Sequence, residues 1–150
     1  MSVTIRPVSP RDPRAEALLL ESHALMDALF PPEENYHLDL DALCAPAVTL
    51  FGADENGVLL GCAAIARHGD YAEVKSMFVS PEARGLGLAR KLLEQLETVA
   101  RDEGIAQLRL ETGDKLPAAV ALYESAGFAL CGPFGGYVEN SSSLFYEKTL

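Results

Sequence analysis

Apolar and polar positions alternate over residues 3–7, a period of two that predicts a short first strand. Over residues 11–30 the period changes: Leu18, Ser22, Leu25 and Leu29 recur at helical spacing, with Leu19, Met26 and Phe30 beside them. Pro31 and Pro32 end that helix, because neither can donate a helical hydrogen bond. Residues 33–44 are polar and then weakly helical, a second short helix or an ordered loop. Two apolar runs follow, over 48–53 and 58–67, split by Asp54-Glu55-Asn56-Gly57. Asn-Gly between apolar runs signals a hairpin, since both residues tolerate positive φ. After His68-Gly69-Asp70, residues 71–79 make a third strand of an antiparallel meander.

From residue 88 onward Leu88, Leu92, Leu93, Leu96, Val99 and Ala100 form one helical stripe, with Arg90, Glu94, Glu97 and Arg101 outside it. Gly104 closes this helix. Residues 107–112 alternate as a strand. Residues 117–125 form a short helix that opens on Pro117 and stops at Gly127. Residues 129–131 and 143–149 make two last strands around the loop Gly132-Pro133-Phe134-Gly135-Gly136. The element order predicts an α+β fold, one mixed and mostly antiparallel sheet with helices on both faces.

Composition narrows the function classes. The 150 residues, 49 % of them apolar, suit a single domain over residues 1–150. A net charge of −10 makes nucleic acid a poor partner. Apolar runs fall far short of the ~20 residues that span a bilayer, and residues 1–10 lack the apolar core of a secretion signal. The expectation is a cytoplasmic protein without a membrane partner. Cys44, Cys62 and Cys131 are widely spaced, with no histidine adjacent to any of them. They predict reduced thiols and no metal site.

The segment with chemistry in it is Arg84-Gly85-Leu86-Gly87-Leu88-Ala89-Arg90, where a strand becomes a helix. Small residues let an anion approach the amides of the first helical turn, which have no partners within the helix. Leu88-Ala89 after Gly87 excludes a Walker A loop, and Arg90 breaks a dinucleotide-binding fingerprint. A plain glycine turn remains the structural alternative.

Arg84-Gly85-Leu86-Gly87-Leu88-Ala89 matches the Arg/Gln-x-x-Gly-x-Gly/Ala motif of the GNAT N-acetyltransferase superfamily. Ala119-Val120-Ala121-Leu122-Tyr123-Glu124-Ser125-Ala126-Gly127-Phe128 resembles its second motif, at the expected distance and after the expected strand. The resemblance is strong over residues 73–128 and looser elsewhere. Leu110-Glu111-Thr112-Gly113 and Pro133-Phe134-Gly135-Gly136-Tyr137 are similar to a bacterial subgroup of acetyltransferases with poorly defined acceptors.

The resemblance implies a GNAT-like acyl-CoA N-acyltransferase fold with acetyl-CoA as acyl donor. It implies that the pantetheine arm runs along the backbone of Met77, Phe78 and Val79, between parted fourth and fifth strands. The pyrophosphate would rest on Arg84, Gly85, Leu86, Gly87, Leu88, Ala89 and Arg90. Tyr123 matches the tyrosine that many members place near the cofactor sulfur, where a phenol is a candidate proton donor to the departing thiolate. Its structural alternative is a core residue of its helix.

Glu73, on the fourth strand, resembles the glutamate that activates the amine in histone-type members; Glu111 is a rival base. Glu73 could equally be a strand residue paired with Lys75. Leu116 departs from the family, which commonly has Asn or Gln there, and leucine makes no hydrogen bond to a cofactor. The amide's contact is then left to another group such as Thr112. Direct attack by a primary amine in a ternary complex is the expected reaction, with a main-chain amide stabilising the oxyanion. A non-catalytic acyl-CoA sensor is the alternative. The acceptor, a small molecule or peptide amine, should meet residues 30–40 and 132–140, where Glu33, Glu34, Tyr36, His37 and Tyr137 are the polar candidates. A homodimer through exposed edges is compatible with this plan.

Overall fold

The computed structural model describes residues 2–34 and 38–150; the candidates Tyr36 and His37 lie outside them. The elements are β1 (Thr4–Pro7), α1 (Pro13–Leu29), α2 (Leu40–Leu43), β2 (Val48–Glu55), β3 (Val58–Arg67), β4 (Tyr71–Val79), α3 (Leu88–Asp102), β5 (Gln107–Gly113), α4 (Pro117–Ser125), β6 (Ala129–Cys131) and β7 (Ser143–Thr149). The weakly helical stretch after α1 resolves into a 3₁₀ turn at Pro32–Glu34 and the single turn of α2.

Local chemistry sets the ends. The Asp12 carboxylate caps α1 by accepting from the Arg14 amide at 2.9 Å, with Pro13 opening the helix. At the far end the Phe30 amide donates to Met26 O, and Pro31 has no amide to continue the ladder. Asn56 and Gly57 take φ of 52° and 86°, the left-handed pair that the β2–β3 turn requires. Helix α3 ends with Gly104 N–H on Arg101 O and Ile105 N–H on Ala100 O, a Schellman motif.

Among the described residues seven strands form one sheet in the order β1-β2-β3-β4-β5-β7-β6, and β4 and β5 are the only pair there that runs parallel. Strand alternation divides the core. Phe51, Ile65, Val74, Leu108, Leu110 and Tyr146 face α3 and α4, while Leu50, Cys62, Ala64 and Phe78 face α1 and α2. Glu97, expected outside the α3 stripe, is buried, because the Lys148 ammonium reaches its carboxylate from β7. That ammonium also donates to Ala126 O at 2.7 Å and so ties α3, α4 and β7 together.

The end of α1 is pinned against β5. The Lys115 ammonium donates to Leu29 O at 2.9 Å, and the Phe30 ring lies on Gly113. A Cβ at Gly113 would stand 1.9 Å from Phe30 Cζ, so that ring contact depends on the missing side chain. Gly113→Ala should push the ring off its seat and destabilise the fold by about 1–3 kcal/mol, read by urea unfolding. An unchanged midpoint would show that α1 is not held there.

Candidate active site

Strands β4 and β5 pair at Tyr71↔Gln107, Ala72↔Leu108 and Glu73↔Arg109, and no further. Each keeps its outer partner beyond that point: β4 follows β3 to Gly61↔Val79, and β5 follows β7 to Gly113↔Ser143. Between the parted strands the backbone edges face a gap. A β-bulge bends β4 there, with Ser76 and Met77 opposite Ala63 and Ser76 at φ 54°.

A cavity of about 120 Å³ opens at the parting. Val74, Lys75, Ser76 and Met77 of β4 line it together with Glu111, Thr112 and Gly113 of β5, His23 and Met26 of α1, and Phe30 just past the end of α1. Tyr123 of α4 reaches the same cavity. Its helix ends in a second Schellman motif, Phe128 N–H donating to Tyr123 O at 3.0 Å and Gly127 N–H to Glu124 O at 3.2 Å, with Gly127 at φ 95°. The Tyr123 ring packs edge-on to Phe128 at 5.9 Å. Burial, and then the charge of Glu111, push the Tyr123 phenol well above its ordinary value.

The two candidate carboxylates stand side by side on the α1/α2 face in different surroundings. Glu73 is 6 % exposed and closely partnered. Tyr137 donates its hydroxyl to Glu73, Lys75 donates to the Tyr137 hydroxyl at 2.8 Å, the Lys75 ammonium lies 3.5 Å from Glu73, and His68 Nε2 lies 3.2 Å away. This set lines a second cavity of about 390 Å³, which shares Lys75 with the first. Glu111 lines the first cavity and accepts from the Ser143 hydroxyl at 2.7 Å; burial raises its carboxyl above the ordinary 4.5 against that bond. Both the pairing of Glu73 with Lys75 and the placement of Glu111 beside Tyr123 are therefore present.

Tyr137 arrives because Phe134 anchors its loop, edge-on to Tyr71, Tyr137 and Phe145 at 5.8, 5.1 and 6.0 Å. Glu34, read as an acceptor group, lines the first cavity and latches the late loop. It accepts from Ser141 N–H at 3.1 Å and from the Ser141 and Ser142 hydroxyls at 2.9 and 2.8 Å. Glu33 sits in the 3₁₀ turn beside it.

At the β4–α3 junction Arg84, Gly85, Leu86 and Gly87 are exposed, and Gly85 and Gly87 take φ of 84° and 76°. A Cβ at either would meet nothing within 4 Å, so backbone conformation and access select glycine there, not packing. Lys91 N–H makes a first-turn bond of α3, to Gly87 O at 3.1 Å, so the amides of Leu88, Ala89 and Arg90 precede it. Arg84 Nε donates to Val79 O at 3.4 Å, and Arg90 donates to the Ser125 hydroxyl at 2.5 Å. Met77 lines the cavity, Phe78 is buried beneath α1, and Val79 packs toward α3. Leu116 caps α4 by position only and lines the cavity with an apolar side chain.

The Cys62 thiol is pushed up to about 12 by burial, which rules it out as a nucleophile at neutral pH. Among the described residues no cluster of three or more His, Cys, Asp or Glu could hold a metal ion, and no helix is long and apolar enough to cross a membrane. The unpaired β4 edge with the cavity at its bulge, and the open first turn of α3, each present backbone groups that a ligand could meet.

Comparisons with known proteins bear on this geometry. Residues 17–128 match the model of the acetyltransferase (GNAT) family. The chain is 43 % identical over 151 residues to an IAA acetyltransferase of Azospirillum brasilense, covering 99 % of each. A Klebsiella pneumoniae crystal structure assigned to the acyl-CoA N-acyltransferases superposes with a TM-score of 0.83 at 31 % identity, over 99 % of this chain and 97 % of that one. PaiA N-acetyltransferase of Thermoplasma acidophilum, solved with coenzyme A, shares the fold with a TM-score of 0.77 at 20 % identity over the whole of both chains.

Burial gives Glu111 a pH signature. Its proton is held more tightly folded than unfolded, so its contribution to stability is full below pH 4.5 and is lost as pH rises through the raised folded value. Glu111→Gln should therefore match the parent in thermal stability at low pH and exceed it at neutral pH. A constant difference across the range would contradict the buried charge.

Proposed function

The chain belongs to the acetyltransferase (GNAT) family and is an acetyl-CoA-dependent N-acetyltransferase, and we propose that it acetylates a small cationic primary amine in the cavity between β4 and β5, with Glu111 and Tyr123 handling the protons. The observation that carries this reading is that one cavity, at the point where the strands part, holds Tyr123, Glu111 and the bulged edge of β4 together. The β4 backbone from Met77 to Val79 binds the pantetheine arm in place of the absent strand partner. The amides of residues 84–90 receive the pyrophosphate, helped by the positive end of the α3 dipole.

An acceptor amine of ordinary pKa near 10.4 arrives protonated, and freeing it near neutral pH costs about 4–5 kcal/mol. Glu111 binds that ammonium and takes its proton; the raised carboxyl pKa brings its basicity closer to the task. The amine nitrogen then bonds to the thioester carbon, the carbon–sulfur bond breaks with the sulfur keeping its electron pair, and the surplus proton on the nitrogen passes to the departing thiolate, leaving a neutral amide and a thiol. Tyr123 keeps its proton at all physiological pH. Complete transfer from a phenol of pKa 10 to a thiolate near 8.5 is uphill by about 2 kcal/mol, and burial enlarges that gap. Tyr123 thus serves the departing sulfur as a hydrogen-bond donor, a weaker role than full general acid. Glu73, already engaged by Tyr137, Lys75 and His68, positions the acceptor side and shares its negative field.

The second cavity, flanked by Glu73 and Tyr137, takes the body of the acceptor. A soluble cytoplasmic enzyme acting alone or as a dimer is the setting proposed.

Thiol release from acetyl-CoA in the presence of amino acids, polyamines, short peptides and IAA, the compound in the relative's name, tests the reading. Release with a cationic amine is expected. Glu111→Gln should lower kcat/KM on the order of 100-fold, and Glu73→Gln should act mainly on KM. Tyr123→Phe should slow kcat about 10-fold or more with coenzyme A affinity unchanged. Coenzyme A binding without release for any amine would favour the sensor alternative. A rate in Glu73→Gln lower than in Glu111→Gln would exchange the two carboxylates' roles.

A further inference from the structure

Ser76 combines two features that a strand residue ordinarily avoids. Its backbone is in the left-handed region at φ 54°, where residues with a Cβ are strained. Its hydroxyl oxygen is buried and finds no hydrogen-bond partner among the described protein groups. Buried hydroxyls without a protein partner are few in folded proteins, and each asks for an explanation.

Local structure holds the residue in this state. The bulge sets Ser76 and Met77 opposite Ala63, and the Cys62 thiol from β3 reaches Ser76 O at 3.4 Å. The carbonyl is thus tied to β3 while the side chain lines the cavity that holds Tyr123 and Glu111. Strained backbone and unsatisfied polar groups together mark places where a ligand completes the structure. The ligand that the proposed reaction brings here is a thioester, whose carbonyl oxygen gains negative charge when the amine adds.

We propose that the Ser76 hydroxyl donates a hydrogen bond to the acetyl carbonyl oxygen of the bound thioester, strengthening as that oxygen becomes an oxyanion; this rests on the reading of the cavity as the transfer site. The hydroxyl loses no proton and forms no covalent bond. The negative charge that builds on the oxygen during addition re-forms the carbonyl double bond as the carbon–sulfur bond breaks, and the sulfur leaves with that bond's electron pair. The positive φ is the means by which β4 aims a side chain into the gap while its pairing with β3 resumes on either side of the bulge. A donor held by the backbone needs no reorganisation during the reaction, which is the condition for effective stabilisation of developing charge.

Two variants test this. Ser76→Ala removes the donor and leaves the backbone strained; Ser76→Gly removes the donor and relieves the strain. Both should lower kcat on the order of 10–100-fold, with coenzyme A affinity within twofold of the parent. Neither should lower the melting temperature, and Ser76→Gly should raise it. A kcat within twofold of the parent in both variants would overturn the proposal. So would a loss of rate matched by an equal loss of coenzyme A affinity, which would put the hydroxyl on the pantetheine arm. If the parent itself binds coenzyme A but transfers to no amine, the transfer reading fails first, and that outcome is distinct from a parent that turns over while its Ser76 variants do so equally well.

Discussion

Two parallel strands that pair for three residues and then separate leave backbone donors and acceptors facing each other across a gap. Buried backbone groups without partners are costly, so such a gap persists only where surrounding structure enforces it or a ligand fills it. Here both strands remain held on their outer sides, β4 by β3 and β5 by β7. The Phe30 ring sits on Gly113 at the mouth of the gap, and Tyr123 fills its floor from α4. The remaining parts follow from this one constraint. The bulge turns Ser76 toward the cavity, the free edge offers an extended chain something to pair with, and the loop after that edge leads into the first turn of α3.

Charge is distributed in the same order. The start of α3 has the exposed Arg84 and open first-turn amides, whereas the cavities at the parting gather Glu73 and Glu111 around Lys75. Lys75 borders both cavities and keeps two neighbouring carboxylates compatible with burial. Its bond to Tyr137 fixes the late loop over the sheet, so the loop's aromatic anchor and the site's electrostatics are parts of one arrangement.

Much of this was legible in the chain. Periodicity and turn chemistry placed the strands and helices, because Pro31, Asn56-Gly57, Gly104 and Gly127 occupy positions where local backbone rules decide the outcome. Two motifs in register pointed to the turn at residues 84–90 and to Tyr123, and the structure has open first-turn amides at the one and a cavity at the other. What local rules do not encode was not legible. Tyr137 meets Glu73 across 64 residues of sequence, and Glu34 meets Ser142 across 108. Glu97 looked like a surface residue because its partner, Lys148, lies on another element. Ser76 carries no sequence signal at all: serine is ordinary in a strand, and only the bulge makes it unusual. Glu73 and Glu111 share one face of the sheet, and that they line different cavities is a feature of the folded chain that strand alternation alone leaves open.

The central claim is that acetyl-CoA lies along the parted edge of β4 and over the first turn of α3. Amide hydrogen exchange of the whole protein with and without coenzyme A tests it most directly. The account predicts slowed exchange concentrated at residues 77–79 and 84–90, with β1 and β2 unaffected. Tight coenzyme A binding that left both segments exchanging at their free rates would contradict it.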